Sequence, residues 1–176
     1  AIEEADGRIL TEDVIATVDL PGFDYSAMDG YAVRFADVEA ASLPIRLPVR
    51  GESRTGAVPD ALASGSTMRI FTGAALPSGA DSVVMQENVT RDADAAVMTT
   101  RPRLGQNVRR RGADRAKRDV AITKGTRLGP AHLALLASLD RAEIAVTKRP
   151  EVAILATGDE LRRPGTDPVP GTIPES

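Results

Sequence analysis

The sequence contains no cysteine, no tryptophan and only one histidine, His132. Without cysteine, the chain cannot form a disulfide scaffold, use a thiol nucleophile or bind a metal through thiolates. A single histidine excludes a zinc site built from several histidines and argues against histidine acid–base catalysis. With two tyrosines and three phenylalanines, the chain is also not expected to stack the bases of single-stranded nucleic acid.

Long apolar runs are missing as well, which argues against a membrane-spanning helix. Residues 1–10 (AIEEADGRIL) do not resemble a signal peptide, so we expect a cytoplasmic protein. The 176 residues allow one or two domains, and the shares of apolar (42%) and charged (27%) residues are those of an ordinary globular protein. Fifteen glycines and 12 prolines favour many short elements over a helical bundle.

Charge is distributed unevenly along the chain. The sequence has a formal net charge of −3, yet residues 101–118 contain eight arginines and lysines against one acidic residue, Asp114. Such a segment could attract phosphate or another oxyanion, because arginine binds oxyanions in a bidentate manner. Alternatively, its arginines pair with acidic residues elsewhere in the chain, and the pattern alone favours this second interpretation. The acidic balance and the few aromatic residues argue against a nucleic-acid partner.

The middle of the chain is predicted to be rich in short strands. Residues 45–49 alternate apolar with other side chains, and Pro48 among them indicates a strand at the edge of a sheet. The stretch 23–33 shows no regular period and is expected to be irregular. Together these patterns predict a small barrel or sandwich. The other strands predicted up to this point cover 14–18, 68–71, 82–85 and 95–100.

After Gly129 the pattern changes. Pro130 and leucines at helical spacing predict a helix over residues 131–139. Strands are predicted over 144–147 and 152–156, and the continuous apolar run of the second is typical of a strand covered on both faces. It leads into TGDEL (157–161), the kind of glycine turn at which many α/β domains bind a ligand. The roughly 20 residues that remain are too few for such a domain.

Asp29 is a candidate functional residue because it lies in a loop of small residues. In SAMDGYA (26–32), Gly30 permits unusual backbone angles, and the small neighbours allow a ligand to approach. The carboxylate could bind Mg²⁺, which prefers oxygen ligands. The alternative, which the pattern favours, is an Asx-type turn in which the side chain bonds to its own backbone.

Further polar residues follow other predicted strands. Thr72 precedes a glycine, so its hydroxyl could bind an oxyanion or simply belong to the turn. Asp159 and Glu160 could face one cleft or begin a helix. Gln86 and Glu87 could be the polar end of a strand or the wall of a cleft. Acidic and hydroxyl groups beside an arginine-rich loop suit a metal-assisted reaction on a phosphate-bearing ligand.

Six short motifs follow one another along the chain. They are GRIL (7–10), PGFDYSAMDGYAV (21–33), RIFTGA (69–74), PSGADSVVMQE (77–87), NVRRRG (107–112) and ATGDEL (156–161). In sequence, order and spacing they resemble the molybdopterin molybdenumtransferase family, whose eukaryotic relatives include the C-terminal domain of gephyrin. The resemblance covers essentially the whole chain, and SAMDGYAV alone is a specific signal.

The resemblance implies an activity and a set of site residues. Members of the family insert molybdate into adenylylated molybdopterin, with Mg²⁺-dependent release of AMP. They act as elongated homodimers, and the molybdopterin adenylyltransferase is an implied partner. The catalytic residues of the family fall on Asp29, Thr72 and Glu160, of which Asp29 and Glu160 would hold the metal. The residues implied to bind the cofactor substrate are Gly73, Arg109, Arg110, Arg111 and Asp159.

We therefore expect an α+β fold in three parts. Residues 21–115 form a strand-rich inserted β lobe, and residues 1–20 with 116–149 form a discontinuous mixed α/β lobe. Residues 150–176 begin a truncated α/β molybdopterin-binding domain, of which 152–156 is the first strand.

The chain departs from the family in three respects. Family members have a further, mostly helical N-terminal segment, and they continue into glycine-rich pterin-binding motifs and a C-terminal β domain. Ala113 stands where many members have a glutamate. We therefore expect a fragment that is inactive by itself. The alternatives are a gephyrin-like dimeric scaffold that anchors a peptide partner and an inactive paralogue that keeps the fold.

Overall fold

The computed structural model describes residues 1–175. It consists of two units, Ala1–Val146 and a shorter one that begins at Thr147, and each is described by itself. The elements of the first unit are β1 (Val14–Ile15), β2 (Tyr25–Ser26), β3 (Gly30–Val33), α1 (Phe35–Val38), β4 (Ile45–Ser53), β5 (Thr67–Ile70), β6 (Ser82–Met85), β7 (Val89–Asp92), β8 (Ala95–Met98), β9 (Val108–Arg109), β10 (Val120–Ile122) and α2 (Pro130–Ser138), with 3₁₀ turns at Ile2–Glu4 and Gln86–Asn88.

A six-stranded mixed sheet in the order β6-β3-β5-β4-β8-β7 is the largest element of this unit. Neighbouring strands are antiparallel except β4 and β5, which are parallel. Residues 45–48 of β4 pair with β8 and residues 49–53 pair with β5. The pairing with β5 contains a bulge between Val49 and Glu52, where Gly51 has a φ of +82°. The predicted strand over 45–49 is thus confirmed, but it lies inside the sheet. Pro48 is tolerated there because this half of β4 pairs on one side only.

β3 lies between β5 and β6, so the prediction that residues 23–33 are irregular is wrong. All four residues of β3 are buried. Their side chains alternate between two apolar clusters, with Tyr31 and Val33 on one face of the sheet and Ala32 on the other. Glycine and alanine have low strand propensity, so the strand is stabilised by its neighbours rather than by its own residues.

A separate apolar cluster joins the two ends of the first unit. β1 pairs antiparallel with β10. The helix predicted over 131–139 is confirmed as α2, and its Leu136 is buried in this cluster. The cluster combines residues between 2 and 14 with residues between 121 and 146. This arrangement is compatible with a discontinuous lobe, whose boundaries near 20 and 116 stay a prediction.

In the second unit, β11 (Leu161–Arg162) and β12 (Ile173–Pro174) pair in parallel. The predicted strand over 152–156 is wrong, because these residues have no regular structure. The side chains of Val152, Ile154 and Leu155 are 79%, 88% and 86% exposed. A strand covered on both faces needs neighbouring strands and helices, and the described residues of this unit provide none for this segment.

The α+β fold class is confirmed, with two α-helices beside many short strands among the described residues. The strands predicted over 68–71, 82–85 and 95–100 correspond to β5, β6 and β8 within two residues at either end. The strand predicted over 14–18 is reduced to β1, and the one predicted over 144–147 is reduced to a single bridge between Val146 and Leu10. Among residues 1–175, none of the helices has the length and apolar character needed to cross a membrane.

Candidate functional site

The turn between β2 and β3 contains Asp29 and is held by its own serine. Ser26 is fully buried, and its Oγ donates a hydrogen bond to the carbonyl of Met28 (2.6 Å) and accepts one from the N–H of Met28 (3.3 Å). Gly30 follows where β3 passes β6, and a Cβ at this position would lie 2.1 Å from the carbonyl oxygen of Val84. The glycine of the SAMDG sequence is therefore required by this close approach.

Hydrogen bonds connect this turn to the segment that follows β5. The N–H of Gly73 donates to the carbonyl of Ser26 (2.8 Å), and the N–H of Ser26 donates to the carbonyl of Ala74 (3.0 Å). Thr72 donates both its backbone N–H (2.7 Å) and its hydroxyl (2.9 Å) to Oδ1 of Asp29. The Asx-type turn does not form here, because the carboxylate bonds to a residue 43 positions away.

Asp29 is kept in its charged form by these contacts. The backbone N–H of Thr72, its hydroxyl and the nearby guanidinium of Arg69 lower the pKa of Asp29 below its ordinary value, although partial burial acts in the opposite direction. Both hydrogen bonds end on Oδ1. Oδ2 is therefore the carboxylate atom that can contact a ligand.

Within the described part of the chain, Asp29 is not part of a metal site formed by protein side chains alone. Among residues 1–175, no three histidine, cysteine, aspartate or glutamate side chains are grouped so that they could hold a cation. Mg²⁺ commonly binds through one or two carboxylates and takes its other ligands from water and substrate phosphates. An ionised carboxylate with Oδ2 available fits this partial kind of site. The donor set is therefore compatible with Mg²⁺ that binds together with a phosphate-bearing ligand.

The arginine-rich segment runs beside the same turn. β9 pairs antiparallel with β2, which places Arg109 opposite Tyr25. The N–H of Ala27 donates to the carbonyl of Asn107 (2.9 Å). The first unit therefore brings together the SAMDGYA, RIFTGA and NVRRRG motifs, which are far apart in the sequence.

Each of the three consecutive arginines forms an ion pair with a different aspartate. These side chains therefore form ion pairs, the interpretation that the charge pattern favours over oxyanion binding. They are nevertheless between 46% and 65% exposed, so N–H groups remain accessible to an oxyanion. The pairs are Arg109–Asp114, Arg110–Asp24 (2.6 Å) and Arg111–Asp19 (2.6 Å).

These contacts favour the charged forms of Asp24 and Arg109. Burial raises the pKa of Asp24, but the backbone N–H of Arg111 and the guanidinium of Arg110 outweigh it and lower the pKa overall. The hydrogen bond and charge of its partner aspartate, followed by those of Tyr25, raise the pKa of Arg109. Arg109 therefore keeps its positive charge across the whole physiological pH range.

Asp159 and Glu160 lie in the second unit, in the turn before β11. The N–H of Leu161 closes this turn on the carbonyl of Gly158 at 3.0 Å. Gly158 has a φ of +154°, and a Cβ there would lie 2.6 Å from Oε2 of Glu160. The Glu160 carboxylate thus folds back over the glycine of its own motif, and a joint role with Asp29 stays a prediction.

Sequence reasoning did not single out several residues that contact the site. Arg69 hydrogen-bonds to Gly30 and Gln86. As the charged residue of a strand whose other three residues are buried, it could have been recognised as unusual. Asp19 and Asp24 were missed because their arginine partners are 92 and 86 positions away.

Comparison with known proteins finds relatives for nearly the whole chain. Residues 1–139 match the family model described as the MoeA N-terminal region (domain I and II). A molybdopterin molybdenumtransferase of Haemophilus influenzae is 43% identical over 162 residues, which cover 91% of this chain and 39% of the relative. One of a Nostoc species is 41% identical over 175 residues, covering 98% and 40%.

A solved structure shows the same fold. The crystal structure of a molybdopterin biosynthesis MoeA protein from Pyrococcus horikoshii matches 99% of this chain with a TM-score of 0.89 and 36% identity. The match covers 48% of that protein. The chain thus spans about two fifths of the length of the curated relatives it matches (39% and 40%).

Proposed function

The chain belongs to the family of MoeA N-terminal regions, and on this basis we propose that it is part of a molybdopterin molybdenumtransferase of molybdenum cofactor biosynthesis. The relatives with that name extend well beyond the matched region, so the activity is proposed for a protein of their length. The proposed reaction is the insertion of molybdate into adenylylated molybdopterin with release of AMP.

The observation that supports this function is the contact between Asp29 and Thr72. A charged carboxylate and a hydroxyl meet after the end of β5, beside the partly exposed arginines of β9 and the loop that follows it. Arginine N–H groups and a threonine hydroxyl can bind the oxygens of phosphate or molybdate. The carboxylate can orient a reacting group or contact a cation.

Thr72 orients Asp29 through two hydrogen bonds to Oδ1, and in the proposed function Oδ2 is the atom that contacts the ligand. Asp29 would hold Mg²⁺, which when bound supplies positive charge against the phosphate oxygens. Glu160 is proposed as a further metal-binding residue. The other proposed contacts with the cofactor substrate are those of Gly73, Arg109, Arg110, Arg111 and Asp159.

The family resemblance also supports an assembly. We propose a homodimer in the cytoplasm that receives adenylylated molybdopterin from the molybdopterin adenylyltransferase. Molybdate is the second substrate.

The test measures molybdenum insertion and AMP release by a protein of the relatives' full length that carries Asp29→Asn or Thr72→Val. Each substitution is expected to lower the rate by at least about tenfold, because removing a group that contacts the transition state usually costs more than this. Thr72→Ser retains the hydroxyl, and Asp60→Asn changes an exposed carboxylate without a role in the site. Both controls are expected to keep nearly full activity.

Losses below about tenfold for both site variants would contradict direct roles for this pair. A peptide-binding scaffold, the alternative that the sequence raises, would bind its peptide equally well with either substitution. AMP release by the 176-residue chain alone would contradict the expectation that the reaction needs the rest of the protein.

A further inference from the structure

Arg69 connects several parts of the chain around the Asp29 turn. From β5, its Nη1 donates to the carbonyl of Gly30 (2.9 Å) and its Nη2 donates to Oε1 of Gln86 (2.6 Å). Its guanidinium carbon lies 5.3 Å from the centre of the Tyr31 ring and 4.8 Å from that of Phe71. The two rings and the two acceptors together fix both the position and the plane of the guanidinium.

Gln86 completes a ring of hydrogen bonds around the same stretch of backbone. Its N–H donates to the carbonyl of Asp29 (3.0 Å), while its side chain accepts from Arg69. The carbonyls of Asp29 and Gly30 are consecutive. Arg69 and Gln86 therefore hold the two peptide groups that follow the Cα atom of Asp29.

We propose that Arg69 is a positioning residue for the Asp29–Thr72 pair. By holding the carbonyl of Gly30 and the side chain of Gln86, whose N–H binds the carbonyl of Asp29, it keeps the Asp29 carboxylate at the N–H and hydroxyl of Thr72. The inference rests on the proposed function, in which this pair contacts the substrate. Arg69 acts through the turn, because its own hydrogen bonds are directed at Gly30 and Gln86.

The geometry explains why an arginine is present rather than a lysine. Two acceptors on different segments are reached by two nitrogens of one planar group, which also lies over two aromatic rings. A lysine ammonium is a single point charge on a flexible stem and does not reproduce the planar group that makes these two hydrogen bonds. Arg69→Lys is therefore expected to restore only part of the positioning.

A residue that only stabilised the sheet would behave differently on substitution. Its loss would loosen strand pairing generally, and the effect would be shared by amides throughout β3, β5 and β6. A positioning residue affects mainly the hydrogen bonds of the turn. Amide hydrogen exchange separates the two because it reports individual N–H groups.

The first measurement is amide exchange in the 176-residue chain with Arg69→Met, which removes both side-chain hydrogen bonds. The N–H groups of Thr72 and Gln86 are expected to exchange at least about tenfold faster, which corresponds to the loss of about one hydrogen bond. The N–H groups within β3, β5 and β6, which a general loosening of the sheet would affect, should keep their rates. Arg69→Lys should give a smaller acceleration at the same two positions.

Arg46→Met is the matched control for this experiment. Arg46 lies on β4 of the same sheet, and its ion pair with Asp92 is at the surface, away from the Asp29 turn. Exchange at Thr72 and Gln86 should therefore stay as in the unsubstituted chain.

The second measurement is the kinetics of molybdenum insertion by a protein of the relatives' full length. Arg69→Met is expected to lower kcat by at least about tenfold and to leave KM within about threefold, since misplacing a reacting group affects the reaction more than binding. Arg69→Lys should recover part of the lost kcat. Arg46→Met should leave both constants unchanged.

Two results would overturn the proposal. One is exchange at Thr72 and Gln86 that stays unchanged or accelerates equally across the whole sheet, and the other is a kcat within about threefold of the unsubstituted enzyme. If the unsubstituted full-length protein inserts no molybdenum, the proposed function fails. The exchange data then still decide whether Arg69 positions the pair.

Discussion

Asp19 joins the N-terminal part of the chain to the arginine-rich loop through a carboxylate. Its Oδ1 accepts from the N–H of Lys117 (2.7 Å), and its Oδ2 accepts from Nε of Arg111 (2.6 Å). The backbone N–H of Lys117, followed by the hydrogen bond from Arg111, lowers the pKa of Asp19. The ionised carboxylate is thus bound more favourably in the folded chain than in the unfolded one.

This contact makes the stability of the fold depend on pH. The pKa of an unfolded aspartate is about 3.9, and the pKa of Asp19 in the folded chain lies below its ordinary value. The stabilisation is therefore present above about pH 4 and is lost as the pH falls through the folded-state pKa. Asp19→Asn should lower the free energy of unfolding at about pH 6 and should approach the unsubstituted chain at about pH 3.

Urea denaturation at both pH values measures this difference. Asp60→Asn, at an exposed residue, serves as the control and should follow the unsubstituted chain at each pH. A destabilisation by Asp19→Asn that is the same at both pH values would show that the charge of Asp19 is not its cause.

At the scale of elements, α2 has the strongest local signals. Pro130 occupies its first position, and Nδ1 of His132 accepts from the N–H of Gly129 (3.1 Å). The single histidine thus has a structural contact at the helix start. Leu136 is fully buried against residues from the other end of the first unit, so the helix is also held by tertiary packing.

Leu136→Ala is expected to lower the free energy of unfolding by about 2–5 kcal/mol, because it removes buried methyl groups and leaves a cavity. Thermal or urea denaturation measures the change. Ala134→Ser on the exposed side of the same helix is the control and should change the stability by about 0.5 kcal/mol or less. Similar losses of stability for both variants would argue against the packing of α2 on this apolar cluster.

β3, in contrast to α2, is a regular element whose own sequence contains no strand signal. Its sequence GYAV predicts no strand, yet all four residues are buried between β5 and β6. The Oγ1 of Thr67 on β5 donates to the carbonyl of Ala32 at 2.8 Å, in addition to the pairing of the strands. The residues that pair with β3 lie 36 or more positions away in the sequence, for example Met68 opposite Ala32 and Val84 opposite Tyr31. A short stretch of sequence around β3 therefore contains no information about its partners.

At the scale of the whole molecule, the two units differ in how well they bury apolar groups. The unit Ala1–Val146 contains three apolar clusters, whereas residues 147–158 of the second unit have no regular structure and expose three large apolar side chains. Proteases cut where the backbone lacks hydrogen-bonded structure and burial.

Limited proteolysis with thermolysin, which cleaves next to large apolar residues, should therefore cut first between 147 and 158. The larger product should keep its unfolding temperature within about 2 °C of the intact chain, because a surface cut removes few stabilising contacts. The competing site is Val58, which is 96% exposed in a loop. A first cut there would contradict the expected order.

Local sequence patterns were enough to predict the α+β class, the positions of α2, β5, β6 and β8, the first half of β4, and the family. These depend on local periodicity, turn residues and the spacing of motifs, all of which are encoded over short stretches of chain. The motifs also pointed to Asp29, Thr72 and Arg109 as residues of one site.

The contacts between distant groups, in contrast, are set by the three-dimensional fold. It replaced the Asx-type turn of Asp29 by the contact with Thr72, paired the arginines with distant aspartates, and left residues 152–156 exposed instead of forming a strand. Each of these outcomes depends on a partner that is dozens of residues away or on the presence of neighbouring strands. A local pattern specifies what a segment can do, but its hydrogen-bond and packing partners come from the folding of the whole chain.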